Sequence, residues 1–248
     1  VKSTVKRIRI VTYNVHKCRG LDRKVRPDRI VKILRAVDAD IIALQEVLSN
    51  AGRKPAEDQA GYIAAELGLK ACMGENRRLN DGAYGNLLLS RFPLYAACNY
   101  DISANGRERR GCLRVDLEAN ESSLLHIFNV HLGTAYLERR KQGRLLMTSN
   151  ILNNRDLGGA RIVLGDFNEW TRGLATRLLS ASFESVDMRR YLRRSRTYPG
   201  ILPMLHLDHI FFDPALRLEN LYLYRNSGAL IASDHLPLIA DFLMPMAS

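Results

Sequence analysis

No stretch of this sequence approaches the ~18–20 consecutive apolar residues that a helix needs to cross a bilayer, so a helical membrane protein is excluded. Cysteine is scarce as well. Cys18, Cys72, Cys98 and Cys112 form no C-x-x-C pair and no zinc-like spacing, which excludes a disulfide scaffold and a structural zinc site. Cys98 and Cys112 fall in strand-like stretches, where a small buried thiol is expected. Free thiols fit a reducing compartment, and the opening residues run into a strand without a signal-peptide pattern, so a cytoplasmic location is expected. Internal repeats, low-complexity tracts and Pro/Gly/Ser-rich linkers are missing too, and one domain over residues 1–248 is expected. Acidic residues are in deficit: 26 Asp+Glu face 37 Lys+Arg, a net charge of +11. That excess favours a polyanionic partner such as nucleic acid, an anionic lipid surface or a phosphorylated metabolite. Hydrophobic residues at 46% and charged residues at 25% are otherwise ordinary for a globular chain.

Short apolar runs bounded by turn residues or charges recur throughout: Ile8–Val15, Ile41–Val47, Tyr84–Ser90, Leu94–Ile102, Gly111–Glu118, Leu124–His131, Arg161–Asp166, Leu207–Phe212, Leu218–Tyr224 and Leu236–Leu243. Helical spacing interrupts them at Asp28–Val37, opened by Pro27, and again at Ala56–Leu67 and Tyr136–Asn153. Strands alternating with helices imply a layered α/β or α+β domain. The links from Ser90 to Leu94 and from Glu118 to Leu124 are too short for a crossover helix, so each is expected to close an antiparallel hairpin. The sheets are therefore expected to be mixed.

Unusual polar residues cluster at strand ends. Asn14, Glu46, His131, Asp166 and Asn168 follow apolar runs, whereas Asp208 and the pair Asp234–His235 stand just before them. In a mixed sheet, carboxyl ends of some strands share an edge with amino ends of antiparallel neighbours, so all of these residues can reach one rim. Carboxylates and amide oxygens suit a hard divalent cation that keeps waters for a substrate phosphate. A His oriented by an Asp can act as a base or as a cation near developing negative charge. Together they suit phosphoester hydrolysis. His16, His126, His206 and His209 have no ligand-like spacing and are assigned structural positions.

Seven ordered segments, Val-Thr-Tyr-Asn-Val (11–15), Leu-Gln-Glu-Val (44–47), Gly-Asn-Leu-Leu-Leu-Ser-Arg-Phe-Pro-Leu (85–94), Asn-Val-His-Leu-Gly (129–133), Leu-Gly-Asp-Phe-Asn (164–168), Leu-Asp-His-Ile-Phe (207–211) and Ser-Asp-His-Leu-Pro-Leu (233–238), carry a resemblance. The chain resembles the endonuclease/exonuclease/phosphatase superfamily of DNase I-like enzymes, and within it small bacterial members. The resemblance implies a four-layered α/β sandwich, with two mixed sheets face to face and helices outside. It also implies an Mg²⁺- or Mn²⁺-dependent phosphodiesterase with Asn14, Glu46 and Asp234 near the metal. His131, Asp166, Asn168, Asp208 and His235 would be catalytic, with the proton acceptor open between Asp166 and His235. Asn86 and Arg110 are candidate substrate-phosphate contacts. Residues after Asn168 do not resemble the abasic-site nucleases.

A nucleic-acid substrate is favoured by charge, with a phospholipid or inositol-phosphate head group as the alternative and a non-catalytic nucleic-acid-binding relative as the second. A monomer is expected. Arg189, Arg190, Arg193, Arg194 and Arg196 form either a groove wall for a polyanion or a solvated charge run.

Overall fold

The computed structural model describes residues 5–79, 81–119, 124–169, 173–185, 197–198 and 205–245. In chain order the strands are β1 (Val5–Asn14), β2 (Ile41–Ser49), β3 (Lys70–Leu79), β4 (Gly82–Ser90), β5 (Leu94–Asp101), β6 (Gly111–Leu117), β7 (Leu125–His131), β8 (Ala160–Asp166), β9 (Glu184–Ser185), β10 (Asp208–Phe212), β11 (Arg217–Leu223) and β12 (Leu238–Pro245). The helices are α1 (Pro27–Val37), α2 (Gln59–Leu67), α3 (Tyr136–Leu146), α4 (Leu174–Ser182) and the short α5 (Ala229–Ala232).

Two mixed sheets result, ordered β11-β12-β1-β2-β4-β3 and β5-β6-β7-β8-β10-β9. Alternation along β1 explains the layering. Ile8 and Ile10 point between the sheets, against Val115, Leu125, Ile127, Ile162 and Ile210. Val11 and Tyr13 point outward into a second core with Ile30, Leu34 and Val37 of α1 and Ile63 of α2. A third core seats Leu146 of α3 and Leu179 of α4 on Phe128, Val130 and Val163. Central strands are thus covered on both faces, which is why they read as nearly continuous apolar runs. Pro27 opens α1 where its missing N–H costs nothing, and Asp38 ends it with φ 53°. The chain is a four-layered α/β sandwich.

Some expectations change. Ser90 and Leu94 do not close a hairpin: β4 lies in the first sheet and β5 in the second. Residues 91–93 carry the chain round the edge of the sandwich, with the Arg91 amide donating to Asp40 O and the Glu118 amide to Pro93 O. The second short link does join antiparallel neighbours, β6 and β7. β3 was not foreseen because an edge strand tolerates the charges of Glu75, Arg77 and Arg78, which blur its alternation. α4 was not foreseen either, and the helix expected over 136–153 ends at Leu146. The basic segment from Arg189 to Arg196 lies outside the described residues.

Register builds the rim. Parallel pairing sets His131 beside Asp166, and antiparallel pairing sets Asp208 on the other side of Asp166. In the first sheet, β1 and β2 run parallel and bring Asn14 beside Gln45, next to Glu46. A polar brace just inside this edge ties the sheets together. Gln45 Nε2 donates to Asn129 Oδ1 at 2.8 Å, and Asn129 Nδ2 donates to the carbonyls of Leu44 and Leu87 at 3.0 Å each. Asn86 Nδ2 donates to Gly111 O at 3.1 Å and Asn129 O at 3.0 Å. Asn86 is completely buried. It therefore braces the sheets and does not stand at the rim as the substrate contact expected of it.

Gly165 precedes Asp166 with φ 143°, and a Cβ there would lie 1.9 Å from Val130 O. Only glycine permits this approach of β8 to β7. Gly165→Ala is expected to destabilise the protein by at least about 2 kcal/mol, read as a lower urea midpoint at unchanged slope. An unchanged midpoint would show that the backbone relaxes freely.

Candidate active site

Local backbone distortions aim the site's side chains. A β-bulge interrupts the β2–β4 register between Leu44 and Val47, and Glu46 within it takes φ 59°. Asn168 adopts φ 50°, letting its amide N–H reach Asp166 Oδ1 at 2.9 Å while its side chain donates to Leu132 O. After Asn14, three consecutive residues, His16, Lys17 and Cys18, have φ of 46°, 56° and 54°. Each non-glycine residue so placed costs about 1–2 kcal/mol, a cost that persists only where packing over-determines it.

Asp166 is the hub. Its Oδ2 accepts from Asn14 Nδ2 at 3.0 Å and lies 3.6 Å from both His131 Nε2 and His235 Nε2. His235 Nδ1 is 2.9 Å from Asp208 Oδ2, so carboxylates face both of its ring nitrogens. Burial disfavours its cation, but Asp208 and Asp166 outweigh burial and hold the pKa up at about 10. His131 is treated oppositely. Burial, reinforced by Arg110, pushes its pKa down to about 4. Arg110 Nη1 stands 3.3 Å from His131 Nδ1. A guanidinium only donates, so Nδ1 is the acceptor nitrogen and Nε2 carries the proton that faces Asp166. One imidazolium and one neutral imidazole thus flank the same carboxylate oxygen.

Glu46 forms the second focus. Its Oε2 lies 2.9 Å from Lys17 Nζ, and its Oε1 lies 3.3 Å from Asn14 Nδ2. Burial opposes its ionisation, yet the neighbouring His131, Lys17 and His16 outweigh burial and hold the carboxyl well below the usual range. Burial, then Glu46, pushes the Tyr84 hydroxyl up. Asp234 Oδ1 sits 3.5 Å from His16 Nδ1 and 3.3 Å from Ser233 Oγ, whose hydroxyl donates to Asn14 O at 2.8 Å. Tyr198 packs its ring 5.0 Å from that of His235.

The structure thus brings together Asn14, Glu46, Arg110, His131, Asp166, Asn168, Asp208, Asp234 and His235. Asn14 accepts the His16 amide at 3.0 Å through Oδ1 and donates Nδ2 to Glu46 and Asp166, so it aligns the two acids. One expectation is corrected. His16, assigned a structural position, instead pairs with Asp234 at the rim. Lys17, Tyr84 and Tyr198 were missed. No spacing rule singles them out. His126 does keep a structural position, with Nδ1 2.7 Å from Asp116 Oδ1 and Nε2 2.8 Å from Gly158 O.

Among the described residues, no group of three or more His, Cys, Asp or Glu side chains is arranged to hold a metal by itself. The donor chemistry nonetheless fits a hard cation that retains water. Such an ion uses one or two carboxylates plus substrate phosphate, and Glu46 is an ionised carboxylate with 18% of its side chain exposed and an ammonium already against it.

Comparison with known proteins places the chain in a family. The family model described as "Endonuclease/Exonuclease/phosphatase family" matches residues 11–235. The uncharacterized protein YbhP of Escherichia coli (strain K12) is 29% identical over 243 residues, spanning 94% of this chain and 95% of YbhP. A solved endonuclease/exonuclease/phosphatase family protein from Bacteroides thetaiotaomicron superposes with a TM-score of 0.79 at 15% identity, covering 98% of this chain and 100% of that one. D. rerio TDP2, solved with a single-strand DNA product, gives a TM-score of 0.73 at 18% identity over 96% of this chain and 99% of that one. The chain belongs to the endonuclease/exonuclease/phosphatase family of phosphoester hydrolases.

Proposed function

We propose that this protein is a divalent-metal-dependent phosphodiesterase acting on nucleic acid. The observation that carries the reading is that two imidazoles flank one oxygen of Asp166, each Nε2 3.6 Å from it, with His235 held at Nδ1 by Asp208 and His131 facing Arg110 through Nδ1. A phosphodiester needs positive charge on its non-bridging oxygens and a base for water. His235, held by Asp208, supplies the charge through Nε2–H. His131 and Asn14 direct neutral N–H donors at the same point. His235 is already protonated with both nitrogens engaged, so the geometry favours Asp166 as proton acceptor, steered by the Asn168 amide. When bound, Mg²⁺ or Mn²⁺ at Glu46 would supply a Lewis acid for the phosphate. Asp234 stands at the same rim, against His16.

The net charge of +11 supports a polyanion over a small neutral ester. The DNA product bound to TDP2 supports the same class. The test is a screen of plasmid DNA, RNA, lysophospholipids and inositol phosphates with Mg²⁺, with Mn²⁺ and with EDTA. Nucleic-acid cleavage that vanishes in EDTA and returns with metal is expected. Full turnover in EDTA, or turnover of lipid alone, would reject the reading.

A further inference from the structure

Beside the site, two arginines share one acid. Arg77 Nη2 lies 2.9 Å from Glu108 Oε1, and Arg110 Nη2 lies 3.0 Å from Glu108 Oε2. Each carboxylate oxygen therefore faces its own guanidinium, the arrangement two non-bridging phosphate oxygens would take. Arg110 is 7% exposed and reaches His131 through Nη1. The Nε atoms of Arg77 and Arg110 are both buried without a hydrogen-bond partner. Tyr84 backs the pair, with Arg77 stacked 4.8 Å over its ring. The Glu108 side chain is 35% exposed and sits two residues after Gly106, which takes φ 71°.

We infer that Arg77 and Arg110 form a second anion subsite, filled in the free protein by Glu108 and taken in the complex by a phosphate adjoining the scissile one on the His131 side. This rests on the phosphodiesterase reading and narrows it to substrates with a second phosphate within reach. A buried guanidinium beside another cation needs an anion at all times, because a desolvated unpaired charge is costly. Glu108 satisfies that need until substrate arrives. It also sets a threshold, since an uncharged group cannot displace it.

Two measurements test the subsite. The first titrates EDTA-treated protein with inorganic phosphate, followed by thermal shift. Glu108→Ala is expected to bind phosphate about tenfold more tightly than wild type, and adding Arg77→Gln should remove the gain. Glu108→Gln, which keeps the side chain's length, should show the same direction should the alanine variant fold poorly. The second measures kcat/KM for the dinucleotides pTpT and TpT, which differ only in a terminal phosphate. The pTpT/TpT ratio should rise in Glu108→Ala and fall in Arg77→Gln. A purely structural ion pair would leave that ratio unmoved in both variants. Equal phosphate affinity in wild type and both Glu108 variants would overturn the subsite. Absence of metal-dependent hydrolysis of dinucleotides, DNA and RNA alike, alongside a retained phosphate gain, would instead overturn the phosphodiesterase reading alone.

Discussion

Asp166→Asn is expected to lower kcat by about 10³–10⁴-fold while leaving the fold intact. Asparagine keeps the size of the side chain and an oxygen for the Asn168 amide or for Asn14, so the contacts that place the residue largely survive. What disappears is the capacity to take a proton from water. Asp166 is the one carboxylate on which Asn14, His131 and His235 all converge. No neighbour substitutes readily. His235 is held protonated, and the free nitrogen of His131 is occupied by Arg110. The check is single-turnover hydrolysis of a nucleic acid or of bis(p-nitrophenyl) phosphate, with urea denaturation to verify folding. A loss smaller than about tenfold would move the proton to another acceptor and sink the assignment.

Much of the rim was legible because β-strand register converts sequence position into spatial neighbourhood. Polar residues ending apolar runs, as at His131 and Asp166, become lateral neighbours once β7 and β8 pair in parallel. Asp208 joins them because it begins an antiparallel strand. The two-sided burial of these strands was legible for the same reason, since continuous apolar runs need a cover on each face. What escaped depended on conformations that composition does not encode. Nothing about His-Lys-Cys at 16–18 announces three consecutive left-handed residues, yet that turn delivers Lys17 to Glu46 and His16 to Asp234. Asn86 looked like a contact for substrate because it lies in a quoted segment, but its amide nitrogen bridges two strand carbonyls between the sheets. The link at 91–93 is short enough for a hairpin, and only the packing of two sheets decides that it turns a corner instead. Arg77 comes from an edge strand whose charges blurred the alternation that would have marked it as one.

Asp208→Asn is expected to act through His235, and its signature is a pH dependence. Asp208 is completely buried and sits 2.9 Å from His235 Nδ1. Burial lowers the imidazolium's pKa, but the Asp208 charge, the largest favourable influence, acts with Asp166 and Asp234 to hold it at about 10 against a free value of 6.5. An amide in its place removes the charge and the pKa falls. Each unit of that fall is about 1.4 kcal/mol of lost preference for the cation. At pH 6 enough imidazolium survives to pair with the phosphate, and the loss in kcat/KM should stay within about tenfold. At pH 9 most of it is gone, and the loss should reach the order of 100-fold. The stability follows with the same sign. A folded pKa of about 10 above a free value of 6.5 means that the pair's contribution is fully present below pH 6.5 and is lost as pH rises through 10. Wild type and variant should therefore differ most in urea stability at pH 6 and converge towards pH 10. Parallel pH–rate profiles, displaced by a constant factor, would mean that Asp208 only positions the ring and that His235 does not work as a cation.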